Sequence, residues 1–210
     1  MPPVHPNRKD ARPHGPGARQ KPGLWDAVAA DSRWHSFTAQ ERSIVDDFVP
    51  LWGIKRGQAV LEPGCGSGRL TEILAALTGP TGRVVAFDRS REFMRIAARR
   101  GLPAHVHLRV AGIGAFRIEP AAFDHVLCFN AYPHLVPQRL VARRLARALR
   151  PGGVLWIAHT CSRRFVNEVH RGGPAAIRKH LLPDPAGLTR QLRDAGLVGI
   201  TIRDGAIVLG

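Results

Sequence analysis

Long hydrophobic runs are absent from this sequence, and their absence bears on where the protein works. No apolar stretch approaches the length of about 18 residues that a membrane-spanning helix requires. Residues 1–23 lack the apolar centre of a secretory signal and hold too much proline and glycine for an amphipathic transit helix. We therefore expect a cytoplasmic protein with no membrane partner.

Cysteine is also scarce. The three cysteines are Cys65, Cys128 and Cys161, and none belongs to a CxxC pair. An odd number without framework spacing is typical of a reducing compartment, which excludes a disulfide-stapled secreted domain. Cys65 lies in a glycine-rich stretch and Cys128 in an apolar run, so we expect both to act as small apolar fillers.

Acidic, lysine and aromatic residues are few. The chain has 16 acidic residues against 31 basic ones, a formal net charge of +15, and only 6% aromatic residues. A basic surface can bind nucleic acid. However, no segment interleaves basic and aromatic residues, so nucleic acid is a possible partner that we do not favour. The natural contact would be a ridge of arginines on one predicted helix: Arg139, Arg143, Arg147 and Arg150.

The composition otherwise fits one domain with a tail. A chain of 210 residues that is 44% hydrophobic can bury a core of normal size. Residues 1–23 are basic and rich in proline and glycine, which predicts disorder. Residues 24–210 form the predicted domain, and residues 24–53 a helical cap at its start. Thr38 and Glu41 have the spacing of a capping box, which marks a helix start inside that cap.

Residues 59–88 predict a strand, a glycine-rich turn, a helix and a second strand. The first strand ends at Glu62, and three alternating glycines follow it. Glycine permits positive φ angles and lets a ligand lie close to the backbone. Asp88 ends the second strand, where a carboxylate can accept hydrogen bonds from both hydroxyls of a ribose. This stretch is typical of half a nucleotide-binding α/β unit, with the ligand at the helix N-terminus.

Apolar periodicity predicts the remaining elements of an α/β fold. The predicted helices span residues 91–100, 137–149, 162–171 and 185–195, with Ser90 and Ser162 as N-caps. The predicted strands span residues 104–110, 123–129, 154–158, 198–202 and 206–209, the last two as a hairpin around Asp204 and Gly205.

The run from Glu62 to Gly68, EPGCGSG, resembles the E/D-x-G-x-G-x-G signature of class I S-adenosylmethionine-dependent methyltransferases, of the type 11 and type 25 kind. Residues 123–130 and 149–157 resemble the fourth and fifth strands of that family, in the right order. The resemblance implies a single Rossmann-like domain. Its sheet would have seven mostly parallel strands with helices on both faces.

The resemblance also implies S-adenosylmethionine as the cofactor and a set of residues that bind it. In the family the cap closes over the cofactor, so Trp25, Trp34 and His35 could reach the pocket, although we favour core packing for each. The implied cofactor residues are Glu62, Gly64, Gly66, Gly68 and Asp88, with Gly112 and Ile113 beside the adenine and Phe129 and Asn130 beside the methyl group.

One turn departs from the family pattern. Relatives usually carry an acidic residue near the adenine amino group, whereas this chain has Gly112-Ile113-Gly114-Ala115. Ile113 can pack on the adenine ring but cannot accept its N–H. Recognition of the adenine edge must then come from backbone groups.

Histidines are predicted around one mouth of the sheet. Methyl transfer requires the acceptor to be held in line, and an O, N or S acceptor must also lose a proton, which suits histidine. We predict His134 or His159 as base or substrate anchor, and Asn167 and His170 as groups that orient the substrate. Three histidines with Cys161 could instead hold a metal, but their spacing matches no standard zinc pattern, so no metal is predicted.

Together these features predict a methyltransferase that acts on a small-molecule acceptor through an O, N or S nucleophile. Two alternatives stay open. One is a methyltransferase of rRNA, tRNA or DNA that uses the arginine-rich surface. The other is a binding module that keeps the methyltransferase fold but transfers no methyl group.

Overall fold

The computed structural model describes residues 23–203 and 208–209. The tail that was predicted to be disordered lies outside these residues, except for Gly23. The turn predicted at Asp204 and Gly205 also lies outside them. The helices are α1 Leu24–Ala29, α2 Ala39–Trp52, α3 Arg69–Thr78, α4 Arg91–Ala98, α5 Gln138–Ala148, α6 Arg163–Gly172 and α7 Pro185–Arg193, with 3-10 turns at Ser32–Trp34 and Tyr132–His134. The strands are β1 Ala59–Pro63, β2 Arg83–Asp88, β3 Val106–Val110, β4 Phe123–Phe129, β5 Leu149–Ala158 and β6 Val208–Leu209.

The strands form one sheet in the order β3-β2-β1-β4-β5-β6. The first five run parallel, and β6 pairs antiparallel with β5. The order reverses between β1 and β4, because β2 and β3 lie on one side of β1 and β4 and β5 on the other. In open α/β sheets a ligand binds at such a reversal, outside the carboxyl ends of the strands.

The sheet has helices on both faces, as the sequence predicts. On one face α5 and α7 bury Val141, Leu145 and Leu188 against the strands. On the other face α2 and α3 bury Phe48 and Leu74, among others. The α/β Rossmann-like fold class is therefore confirmed.

The prediction of seven strands is wrong: the sheet has six strands within the described part of the chain. Residues 198–202 were expected to form a strand, yet only Ile202 makes a single bridge there. Gly199 takes a φ of 65°, which turns the chain out of the extended conformation. Val198 is 91% exposed and so contributes nothing to a sheet face.

The predicted helix starts are confirmed in atomic detail. The Thr38 hydroxyl accepts from the Glu41 N–H at 3.1 Å, and the Glu41 carboxylate accepts from the Thr38 N–H at 2.9 Å. Ser90 and Ser162 cap α4 and α6 by accepting from the backbone N–H three residues on. None of the helices in residues 23–203 is long and apolar enough to cross a membrane.

Candidate active site

A cavity of about 670 Å³ lies at the carboxyl edge of the sheet, where the strand order reverses. Its size is within the range of about 300–1,000 Å³ that is usual for small-molecule sites. The walls come from the ends of β1, β2, β4 and β5, and from the α1 and α6 segments on either side. The topology thus gathers residues from distant parts of the sequence into one site.

The glycine-rich loop forms the floor of this cavity. Gly64 and Gly66 line it with φ angles of 75° and 53°, a conformation that side chains rarely adopt. A Cβ atom at Gly64 would lie 2.8 Å from the Cβ of Ala131, whereas one at Gly66 would meet nothing within 4 Å. Gly66 therefore keeps open the space into which a ligand can approach the backbone.

Gly68 does not line the cavity. It caps α3 with a φ of 78°, and a Cβ there would lie 3.1 Å from the Cβ of Ala97 on α4. Gly68 lets α3 and α4 approach each other closely, and it therefore influences the position of the glycine loop rather than contacting a ligand.

Two carboxyl groups, Glu62 and Asp88, lie beside the glycine loop. Glu62 is buried at the end of β1 and accepts a hydrogen bond of 2.6 Å from the Thr71 hydroxyl. Burial, with a smaller contribution from the charge of Asp88, raises the pKa of Glu62 to about 8. Asp88 accepts from the Gly66 N–H at 3.1 Å and from the Ser90 N–H at 2.8 Å, and burial raises its pKa.

The loop beyond β3 supplies the opposite wall at the glycine-loop end of the cavity. Gly112 and Ile113 line the cavity, and Ile113 is buried in the apolar cluster that also contains Phe87. Arg89, which follows Asp88, lines the same end of the cavity, and sequence reasoning did not single it out. The position of Arg89 next to Asp88 was the signal in the sequence that could have identified it.

Asn130 joins the ends of β4 and β5. Its side-chain oxygen accepts from the Thr160 N–H at 3.0 Å, and its amide nitrogen donates to the Thr160 hydroxyl at 3.2 Å. Asn130 has a φ of 51°, which a residue with a short polar side chain tolerates better than most. Phe129 and Asn130 both line the cavity.

The three predicted histidines converge on the cavity. His134, His159 and His170 all line it. Burial and the neighbouring histidines lower the pKa of His134 to about 3, and burial with His170 does the same for His159. Both rings are therefore neutral near pH 7. The Nε2 atom of His159 is buried without a hydrogen-bond partner among the described residues.

A fourth histidine, His180, belongs to this cluster and was missed by sequence reasoning. Its Nδ1 lies 3.3 Å from the Nδ1 of His134, and its carbonyl oxygen is bonded to the Nδ1 of His170. It lies in the connection between α6 and α7, where nothing in the local sequence pattern indicates a site. Only the folding of that connection over the 3-10 turn at Tyr132–His134 reveals it.

The structure does not support the predicted role of Asn167 in orienting a substrate. Asn167 is not among the residues that line the cavity. Its amide donates to the Leu182 carbonyl at 2.9 Å and accepts from the Leu182 N–H at 2.8 Å. Both ends of the side chain are thus occupied by the backbone, and Asn167 fixes the connection that carries His180.

The cap contributes more to the cavity than expected. Trp25 and Trp34 line it, so the interpretation of plain core packing is wrong for these two residues. The Trp25 ring meets the His134 ring edge-on at 4.5 Å. The Ser67 hydroxyl donates to the Trp34 carbonyl at 2.6 Å, which ties the cap to the glycine loop. His35 instead bonds the Ala29 carbonyl through its ring.

Cys161 also lines the cavity and is half-buried, whereas Cys65 and Cys128 are buried as predicted. Across residues 23–203, no group of three or more histidine, cysteine, aspartate or glutamate side chains has an arrangement that could hold a metal ion.

The fold and the cavity define a Rossmann-type α/β domain with a ligand site at its topological switch point. A family profile described as a methyltransferase domain matches residues 60–153, which include the glycine loop and the ends of β2 and β4. Residues 60–153 thus carry a methyltransferase domain, and the chain is similar to class I S-adenosylmethionine-dependent methyltransferases.

Similar proteins agree with this assignment. The chain is 29% identical over 188 residues to a ubiquinone biosynthesis O-methyltransferase of Xylella fastidiosa (strain 9a5c), covering 83% of this chain and 73% of that protein. It is 30% identical over 137 residues to a protein of the same name from Xanthomonas oryzae pv. oryzae (strain PXO99A), covering 64% of this chain but only 54% of that relative.

Solved structures share the fold. A SAM-dependent methyltransferase from Aquifex aeolicus superposes with a TM-score of 0.60 at 20% identity, covering 88% of this chain and 96% of that one. Haemonchus contortus phosphoethanolamine N-methyltransferase 2, solved in complex with S-adenosyl-L-methionine, gives a TM-score of 0.62 at 24% identity, covering 78% and 38%.

Proposed function

We propose that this chain transfers a methyl group from S-adenosylmethionine to a hydroxyl of an uncharged, largely apolar small molecule. The observation that carries the proposal is that His159, which lines the cavity, has a buried Nε2 with no hydrogen-bond partner among the described residues. A buried polar atom without a partner costs about 1–3 kcal/mol, so such an atom in a cavity wall favours a ligand that supplies the partner.

The cofactor would lie along the glycine loop. The carboxyl of Glu62 would face its amino-acid part and that of Asp88 its ribose, while the open space at Gly66 lets it approach the backbone. Gly112 and Ile113 would flank its adenine, and Phe129 and Asn130 its methyl group. When bound, the cofactor supplies an electrophilic methyl group on a sulfonium sulfur.

The acceptor would lie at the other end, below α6. Among the described residues, the charged side chains of the cavity wall come from α2, the ends of β1 and β2 and the start of α3, and none comes from α6. These charged residues are Glu41, Glu62, Arg69, Asp88 and Arg89. The α6 end offers Phe165, Val166 and Val169 together with neutral imidazoles. An uncharged acceptor with an apolar body fits such a wall, because burying a charge there without a partner is costly.

Oxygen is the acceptor atom that we favour among the three nucleophiles considered from sequence. A neutral imidazole can accept a proton from a hydroxyl held against it, and the neutral rings of His134 and His159 border this end. The relatives from Xylella and Xanthomonas are both named O-methyltransferases, which supports the same choice. The protein would otherwise act by holding the acceptor in line, a contribution from proximity.

A methyl-transfer assay tests the proposal. Labelled S-adenosylmethionine is offered with hydroxylated aromatic compounds, aliphatic amines, phosphorylated amines and bulk RNA, and the label in each product is counted. We expect transfer to an uncharged hydroxyl compound. In His159→Leu, kcat/KM for that acceptor should fall by about 10²-fold, the usual scale for a lost acid–base or orienting group, with unchanged affinity for S-adenosylhomocysteine.

Two variants serve as controls. Asp88→Ala should weaken binding of S-adenosylhomocysteine itself in a calorimetric titration, because its carboxylate faces the cavity beside the glycine loop. His107→Leu, on the exposed side of β3 away from the cavity, should change neither measurement. Preferential labelling of RNA or amines, or no cofactor binding at millimolar concentration, would contradict the proposal.

A further inference from the structure

Thr160 follows the end of β5, lines the cavity and carries a hydroxyl whose hydrogen-bond directions are fixed by its neighbours. It is half-buried and bonds Asn130, the residue directly after β4. The Oδ1 atom of Asn130 lies 3.0 Å from the backbone nitrogen of Thr160, and the Nδ2 atom lies 3.2 Å from the Thr160 hydroxyl oxygen. These two contacts join the ends of two neighbouring strands.

The backbone contact determines which way the Asn130 amide points. A backbone N–H can only donate, so the side-chain atom 3.0 Å from it must be the oxygen. The amide nitrogen therefore faces the Thr160 hydroxyl, and because this nitrogen can only donate, the hydroxyl oxygen must accept. Neither step depends on a protonation state, since neither side chain titrates.

The Thr160 hydroxyl consequently keeps its own hydrogen for another partner. A threonine hydroxyl has one O–H donor besides its acceptor lone pairs. Among the described residues, Asn130 is the only group that bonds this hydroxyl. Because Thr160 lines the cavity, it offers a hydrogen-bond donor to a molecule held there.

The position of Thr160 in the sheet assigns this donor to the methyl acceptor rather than to the cofactor. The strand order is β2-β1-β4-β5, and the proposed function has the cofactor across the ends of β2, β1 and β4. β5 lies two strands beyond β1, about 10 Å away, since neighbouring strands are about 4.8 Å apart. His159, which would meet the reacting hydroxyl of the acceptor, directly precedes Thr160 in the chain.

We propose that Thr160 is a specificity-determining residue that selects acceptors with a second oxygen atom besides the reacting hydroxyl. This selection rests on the proposed function, because it concerns the molecule that receives the methyl group. The second oxygen, of an ether, a carbonyl or a further hydroxyl, accepts from the Thr160 O–H. The reacting oxygen is a poor partner for that donor. It gives up electron density as its bond to the methyl carbon forms, so a donor on it would stabilise the ground state more than the transition state.

Pairs of phenols that differ in one position test the proposal. Ortho- and meta-methoxyphenol are compared with ortho- and meta-ethylphenol, in which a methylene group replaces the ether oxygen. Calorimetric titration measures the Kd of each compound for the full chain saturated with S-adenosylhomocysteine. The ratio of the Kd of the ethyl compound to that of the methoxy compound is the methoxy preference, and its change between variants isolates the contribution of one hydrogen bond.

Substitutions separate the Thr160 hydroxyl from its surroundings. Thr160→Val removes the O–H at nearly constant volume and should lower the methoxy preference of at least one pair by roughly threefold to tenfold, the usual scale of one hydrogen bond. Thr160→Ser keeps the O–H and should keep the preference. Asn130→Asp should abolish the preference with Thr160 intact, because a carboxylate can only accept and would capture the hydroxyl hydrogen. Thr189→Val, the same change on α7 outside the cavity wall, should have no effect.

Binding rather than transfer is measured, so the inference and the proposed function fail separately. A methoxy preference that is unchanged in Thr160→Val or in Asn130→Asp would overturn the inference, as would no affinity for any of these phenols at millimolar concentration. Should Thr160→Val fail to fold, Asn130→Asp and Thr160→Ser still decide the outcome. Absence of methyl transfer to any hydroxyl compound, with the expected preference present, would overturn the proposed function alone.

Discussion

At the scale of single residues, Glu62 is a buried carboxyl in the cavity wall that the chain maintains at a cost to stability. Its carboxyl is buried, and its pKa is raised from an ordinary 4.5 to about 8, first by burial and then by Asp88. The folded chain thus holds a proton on Glu62 that the unfolded chain releases between those two values. Stability must therefore fall as the pH rises from about 4.5 to about 8.

Glu62→Gln should remove this pH dependence. Glutamine cannot ionise, and its side-chain oxygen can still accept from the Thr71 hydroxyl. Without cofactor, the variant should melt higher than the natural chain by roughly 5 °C or more at pH 8, as expected for a few kcal/mol in a chain of this size. The difference should shrink near pH 5. Differential scanning calorimetry across this pH range makes the measurement.

A control and a second readout accompany that prediction. Glu119→Gln changes an exposed carboxyl that pairs with Arg83 at the start of β2, and it should leave the pH profile unchanged. The Glu62 variant should also bind S-adenosylmethionine more weakly, because an amide cannot ionise against the cationic amino group as the Glu62 carboxyl would. Parallel pH profiles for the natural chain and Glu62→Gln would contradict the argument.

At the scale of elements, α6 and the connection after it depend on one side chain. Asn167 bonds both backbone groups of Leu182, and all these groups are buried. Asn167→Ala leaves a buried N–H and a buried carbonyl without partners, which should lower the free energy of unfolding by about 2–4 kcal/mol. Urea unfolding measures this loss, and cofactor affinity should not change.

The neighbouring residue offers a matched control. Glu168 forms an exposed pair with Arg164 one turn away, and such pairs contribute at most about 1 kcal/mol. Glu168→Ala should therefore be close to the natural chain in urea. An Asn167→Ala variant of full stability with a raised KM for the acceptor would restore the substrate-contacting role that the sequence suggested.

At the scale of the whole molecule, the net charge of +15 predicts behaviour that is separate from the site. Arg139, Arg143 and Arg147 lie exposed on one face of α5, and none forms an ion pair with a described residue. We expect RNA to bind at about 50 mM salt and to dissociate by about 200 mM, because phosphate contacts release counterions. Filter binding against salt measures this, and the bound RNA should carry no methyl label.

A triple variant tests where that binding occurs. Replacing Arg139, Arg143 and Arg147 by alanine should weaken RNA binding and reduce its salt dependence, while cofactor affinity stays within about threefold, since neutralised phosphates set the salt slope. RNA that is methylated as fast as a small hydroxyl compound would instead favour the nucleic-acid alternative.

Much of the fold could be predicted because the relevant signals are local. The capping box at Thr38, the N-caps at Ser90 and Ser162 and the glycine turn each depend on residues within one turn of chain. The strand expected at residues 198–202 failed because its apolar alternation was local too, while Gly199 and the exposure of Val198 depend on how the chain leaves α7.

The residues of the site also divide into those whose placement depends on local sequence and those whose placement depends on tertiary structure. Glu62, Asp88, Gly64 and Gly66 belong to one β-turn-α-β unit whose geometry the sequence alone determines, since strand ends and glycine turns are local features. The roles of His180, Asn167 and Trp25 were decided only by tertiary structure, because each depends on a contact with a segment more than ten residues away. Hydrogen-bond partners across such separations leave no periodic trace in a sequence, so the part of the cavity beside the glycine loop could be predicted and much of the part below α6 could not.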